Sequence, residues 1–194
     1  MITYVATLDV PRHVVVYLAR LLATHRRRLG TPRGSRALGP FRQSVLVLRW
    51  FRERGCVHCL ARGAGVSQAT GYRYLHEGID VLADQAPDLH EVLTDCRRQD
   101  ISHVILDGTL ADKGYIGAGI GIHVSVRRPR GKSEHALHVD NRTTNTLIRD
   151  LRALGERAAA ELKERWRALR HVSLSPSRIG DIARAALVLN TTWK

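Results

Sequence analysis

The chain has 194 residues, 44% of them hydrophobic, which is enough for a packed core in one or two small domains and excludes disorder throughout. Against 31 Lys and Arg stand 18 Asp and Glu, a net charge of +13 that points to a polyanionic partner, most commonly nucleic acid. No apolar run reaches the ~20 residues that span a bilayer, and Met1-Ile2-Thr3-Tyr4 lacks the pattern of a secretory leader, so the expectation is a cytoplasmic protein with no membrane partner.

The positive charge is not confined to a tail. Residues 1–95 carry 13 basic and 8 acidic groups, and residues 96–194 carry 18 and 10. Three cysteines, Cys56, Cys59 and Cys96, are too few and odd in number for a disulfide framework. Cys56 and Cys59 form a CxxC, but no second pair stands at zinc-ligand spacing, so they read as two thiols on a short helix.

In chain order, Val14, Leu18, Leu21 and Leu22 recur at helical spacing over 11–28, with Pro11 suited to the first turn and Arg26-Arg27-Arg28 to the negative end of the helix dipole. Residues 30–40 are rich in Gly and Pro and read as a loop, whose Arg33 and Arg36 either touch phosphates or are simply solvated. A second helix is predicted over 41–54 with Val45, Leu48 and Phe51 on one side, stopped by Gly55. A short helix follows at 56–63, then Gly65-Val66-Ser67, a helix from about 68 to 77, and a further helical stretch over 78–98 interrupted by Pro87.

At residue 101 the pattern changes. Val104-Ile105-Leu106, ending at Asp107-Gly108, and Ile122 to Val126 read as strands. A long helix is expected over 142–169, with Leu147, Leu151, Leu154, Ala158, Leu162 and Trp166 as its apolar stripe. Pro176 opens a last helix running to about Leu189. The fold class expected is mainly α with a small α/β part.

Residues 56–77 have the form of a helix-turn-helix. Ser67 suits an N-cap, because its hydroxyl accepts from the free N–H groups of the first turn. Leu60, Ala61, Val66 and Tyr74 or Leu75 are positioned to bury the joint. Gln68, Thr70, Gly71 and Arg73 are expected on the outer side, which would enter a major groove, where Gln and Arg read adenine and guanine edges. An ordinary helical hairpin is the competing reading.

Three acidic residues stand out in the second half: Asp107 at a predicted strand end, Asp112 in Ala111-Asp112-Lys113-Gly114-Tyr115, and Glu156 on the long helix. Glu156 lies in a basic stripe of Arg149, Arg152, Lys163, Arg167 and Arg170, which reads either as a solvated ion-pair face or as phosphate contacts flanking a metal ligand.

These motifs together resemble the DDE transposases of bacterial insertion sequences, in particular the actinobacterial type of the insertion-sequence-five group. The likeness rests on the helical region 41–79, on Val-Ile-Leu-Asp107-Gly108-Thr109, on Asp112-Lys113-Gly114-Tyr115, and on Arg152, Glu156 and Lys163 at the family's spacing; Arg149 stands where a Tyr is frequent. It implies an N-terminal helix-turn-helix domain (1–98) and an RNase H-like catalytic part (99–194). It further implies Asp107, Asp112 and Glu156 as catalytic Mg²⁺ ligands and DNA cut and joined at element ends. In the family the two Asp motifs lie on separate strands. Here they are five residues apart, whereas parallel strands need a crossover of a dozen or more residues. The expected catalytic part is therefore a truncated remnant with an internal deletion, needing Mg²⁺ only if the site is competent. Ser67, Gln68, Thr70, Arg73, Arg149, Arg152, Lys163 and Arg167 are the expected DNA-binding residues. The partner is double-stranded DNA with element terminal repeats, and the chain is expected to pair with itself or with an intact transposase. An active transposase and a helix-turn-helix repressor are the alternatives.

Overall fold

Seven helices follow one another among the described residues of the computed structural model, which are 7–100, 126 and 138–193. They are α1 (Arg12–Arg28), α2 (Pro40–Glu53), α3 (Val57–Gly63), α4 (Gln68–Ala83), α5 (Leu89–Arg98), α6 (Val139–Arg165) and α7 (Ile179–Trp193), with 3-10 turns at Arg167–Arg170 and Pro176–Arg178. The chain is mainly helical, as composition and periodicity led one to expect. The strand segments read at 104–106 and 122–125 lie outside the described residues, and Val126 belongs to no element. No described helix is long and apolar enough to cross a membrane.

Two compact units divide the chain, residues 1–88 with 162–194 and residues 89–161. The first unit is therefore not contiguous in sequence. Its core is formed by Leu18 and Leu22 of α1, Leu48, Trp50 and Phe51 of α2, Leu75, Ile79 and Leu82 of α4, and Ile182 and Leu189 of α7, all almost fully buried. α1 packs on α2, and α7 packs on α4. Trp166 completes this core. Its ring meets Phe51 edge-on at 6.2 Å and Trp193 at 5.5 Å.

Chain ends of the helices follow local chemistry. α1 closes in a Schellman motif: Gly30 takes φ +62°, its N–H donates to Arg27 O at 3.1 Å, and Thr31 N–H donates to Arg26 O at 3.0 Å. α2 ends one residue earlier than its glycine suggests, because Arg54 itself adopts the left-handed conformation (φ 56°).

The loop after α1 is not simply solvated. Leu38 is buried, its N–H donates to the Tyr74 hydroxyl at 3.2 Å, and its carbonyl accepts from Arg26 Nη1 at 3.0 Å. Arg36 pairs with Glu77 at 3.3 Å. Fully buried Gln43 joins this network, with Nε2 donating to Tyr74 O and to Glu77 Oε2, both at 3.0 Å, and Oε1 accepting from Arg26.

α4 runs unbroken from Gln68 to Ala83, which corrects the expected division at residue 78. Gly78 is the reason the sequence misleads: it reads as a breaker but is a packing residue. A Cβ there would stand 2.5 Å from Val47 Cγ2. Val is stiff at χ1, so it cannot swing away cheaply. Gly78→Ala should therefore lose ~1–3 kcal/mol to overpacking, more than the ~1 kcal/mol that helix propensity returns. Gly180 in α7 has open space, and Gly180→Ala should be neutral or stabilising. Paired urea titrations would show this opposition in sign; two shifts of the same sign would refute the close α2–α4 approach.

Candidate nucleic-acid interface

The joint between α3 and α4 is built from small residues. α3 ends in a second Schellman motif, with Gly65 at φ +73°, Gly65 N–H donating to Arg62 O at 3.0 Å and Val66 N–H to Ala61 O at 3.0 Å. Ser67 then takes an extended conformation (ψ 155°), and its Oγ accepts from Thr70 N–H at 3.3 Å, capping α4. Gly71 faces inward. A Cβ on it would lie 2.7 Å from Ala61 Cβ, so α3 and α4 touch through this pair. The expectation that Gly71 lies on the outer side is thus corrected: residues 71, 74, 75 and 78 share the buried face, at spacings of three and four.

The outer side of α4 begins with Ser67, Gln68 and Arg73, all exposed, and half-buried Thr70. These side chains already touch one another. Ser67 Oγ donates to Thr70 Oγ1 at 2.9 Å, and Arg73 Nη2 donates to the same oxygen at 3.0 Å. Gln68 Nε2 meets His58 Nε2 of α3 at 2.7 Å, and His58 in turn packs edge-on against Tyr72 at 6.0 Å. Two further basic residues, neither of them marked by a motif in the sequence, join this face. Arg62 is exposed on the last turn of α3, and Arg42 of α2 reaches the turn, its Nη2 donating to Ala64 O at 3.4 Å. Arg62 was findable from its place beside Gly63. Arg42 was not, since nothing local ties α2 to that turn.

In the second unit, α6 carries Arg149, Arg152 and Glu156 along a groove completed by Asn145 and Ala153. Arg149 and Glu156 are exposed, and Arg152 lies 3.8 Å from Glu156, one turn away. Asn145 clasps the backbone of Val126, accepting from its N–H at 2.8 Å and donating to its carbonyl at 2.9 Å.

The apolar and basic stripes expected over 142–169 do not continue as drawn. α6 buries none of its residues, and Leu147 and Leu154 are more than half exposed. The helix stops at Arg165, and Trp166 leaves helical geometry (φ −115°, ψ 82°) to enter the core of the first unit. Arg167 and Arg170 therefore sit on a 3-10 turn. Arg170 folds back onto the Glu164 carboxylate and donates to Lys163 O at 3.3 Å, while Lys163 remains exposed at the end of α6.

Asp107 and Asp112 lie outside the described residues. No group of three His, Cys, Asp or Glu side chains able to hold a metal ion occurs among the described residues. Glu156 stands there with an arginine, not a second carboxylate, as its near partner. That arrangement alone does not form a divalent-cation site, which needs several oxygen ligands.

The described part of the chain is helical, and the chain as a whole carries a net charge of +13. Residues 72–190 match the sequence profile of the DDE superfamily endonucleases, more than half of the chain, and the chain is a member of that family. The match opens inside α4 and ends inside α7, so the family's region includes Tyr72 to Ala83, α5, α6 and α7 as far as Asn190. Nucleases of this family act on DNA with divalent metal ions. No curated protein and no solved structure matches the chain.

Proposed function

We propose that this protein is a transposase-like DNA-binding protein of an insertion sequence, whose α3 and α4 form a helix-turn-helix and whose catalytic part is incomplete. The observation carrying this reading is the α3–α4 joint: a tight Schellman turn, a capped second helix, and a Gly71–Ala61 contact that leaves Gln68 and Arg73 outward. In this reading Ser67, Gln68, Thr70 and Arg73 enter a major groove of double-stranded DNA at element terminal repeats. Arg149, Arg152, Lys163 and Arg167 contact phosphates. The family membership supports DNA as the polyanion.

The same reading assigns the chain to the actinobacterial type of the insertion-sequence-five group, acting in the cytoplasm, with Asp107, Asp112 and Glu156 as the remaining members of a Mg²⁺ site. The mere four residues between the two aspartates, Gly108 to Ala111, support an internal deletion from an RNase H-like domain. Residues 99–194 would then be that remnant, with 1–98 as the DNA-binding part. Partnership with itself or with an intact transposase would let such a chain occupy element ends.

Fluorescence anisotropy on a duplex carrying the terminal repeats tests the binding half. Arg73→Ala should cost ~1–3 kcal/mol of specific affinity and relax preference at one base position, with affinity falling steeply with salt. Equal affinity of wild type and Arg73→Ala for specific and scrambled duplexes would refute the recognition helix. A nicking assay with Mg²⁺ or Mn²⁺ tests the catalytic half. No cleavage is expected, and nicking that disappears in Asp107→Asn and Glu156→Gln would overturn the incomplete site.

A further inference from the structure

The CxxC on α3 has no part in the DNA reading and has chemistry of its own. Cys56 is the N-cap residue of α3, and Cys59 is its third residue. The side chains at the N-cap and at the third helical position turn toward one another, as in a capping box, and those of Cys56 and Cys59 are hydrogen-bonded neighbours, so a modest adjustment brings the sulfurs within the reach of a disulfide. Both side chains are exposed, so a soluble oxidant can reach either sulfur. No metal-binding group of His, Cys, Asp or Glu forms around them among the described residues, and His58, between them in sequence, is turned to Gln68 and Tyr72.

We propose that Cys56 and Cys59 are a dithiol–disulfide redox pair, oxidised by low-molecular-weight disulfides such as glutathione disulfide, with Cys56 the attacking sulfur and Cys59 the resolving one. The Cys56 thiolate attacks one sulfur of the oxidant. A Cys56–glutathione mixed disulfide forms, and one glutathione thiolate leaves. Cys59 then gives up its proton, and its sulfur attacks Cys56 Sγ, releasing the second glutathione. Two protein thiols are oxidised to one disulfide, and one glutathione disulfide is reduced to two thiols.

The environment distinguishes the two sulfurs in the required direction. The backbone N–H groups of Cys59 and His58, with the neighbouring Cys59 thiol, hold the Cys56 thiol below its ordinary pKa, although Cys56 makes no cap hydrogen bond. The Cys59 thiol is pushed up, first by the Cys56 side chain beside it. A lowered pKa enlarges the thiolate fraction at neutral pH, and the thiolate is the nucleophile. This inference stands independently of the DNA-binding reading, since it concerns only the two thiols.

Mass spectrometry of the full chain after exposure to glutathione disulfide, quenching with a maleimide and tryptic digestion reads the pair directly. Cleavage after Arg54 and Arg62 releases a peptide holding both cysteines. That peptide should appear unlabelled and lighter by two hydrogens, while Cys96 keeps its label. Cys59→Ser should stop at a stable glutathione adduct on Cys56, and Cys56→Ser should react on the order of tenfold more slowly. Full labelling of both cysteines in the wild-type peptide, chains linked to one another through Cys56 or Cys59, or equal rates in the two variants would overturn the proposal.

Discussion

Trp166→Ala should lose about 3–5 kcal/mol of stability in the first unit, the range for truncating a large buried aromatic. The ring is fully buried between Phe51 of α2 and Trp193 of α7, and its indole N–H has no acceptor among the described residues. It is therefore held by packing, and truncation opens a cavity at the junction of segments more than a hundred residues apart. Trp166→Phe keeps part of the ring and should cost less. Urea unfolding followed by circular dichroism measures both. An unchanged midpoint for Trp166→Ala would mean that residues 162–194 do not stabilise the N-terminal helices. Domains of 50–200 residues are stable by only ~5–15 kcal/mol, so the expected loss is a large share of the total.

Glu77→Ala should cost ~2–3 kcal/mol, because it strips partners from several groups at once. The carboxylate is 11% exposed and holds Arg36 at 3.3 Å and Gln43 Nε2 at 3.0 Å, with His25 Nε2 at 4.0 Å. Removing it leaves the buried Gln43 amide short of an acceptor and the Arg36 guanidinium without its counter-charge. Arg36 is about one-third exposed, so water replaces it more easily, and Arg36→Ala should cost less than Glu77→Ala. Unfolding of both variants and of the double variant isolates the pair. If Glu77→Ala proves no worse than Arg36→Ala, the carboxylate is not the hub of this network. Because Glu77 lies on α4, its loss should also loosen the helix that carries Gln68 and Arg73. Specific DNA binding should then fall at temperatures where wild type remains folded.

Local signals determined the helices. Val14, Leu18 and Leu22 mark α1 by period alone, and Ser67 and Gly65 set the α3–α4 turn, because capping and left-handed turns depend on a few adjacent residues. The charge of +13 and the motifs around Asp107, Asp112 and Glu156 gave the family resemblance, which the match over 72–190 supports at the level of DDE endonucleases. The tertiary structure alone decided which face of α4 is buried at Gly71 and Gly78. A glycine reads the same in sequence whether it breaks a helix or admits a neighbour, and only Ala61 and Val47 distinguish the two. It also decided that Trp166 leaves the stripe of α6. The helical period runs on through residue 166, but the energy of burying an indole against Phe51 and Trp193 lies in contacts distant along the chain. Arg36 and Arg42 show the same limit for charge: composition counted them as cations for a polyanion, yet one is taken by Glu77 and the other is brought to the α3–α4 turn by packing.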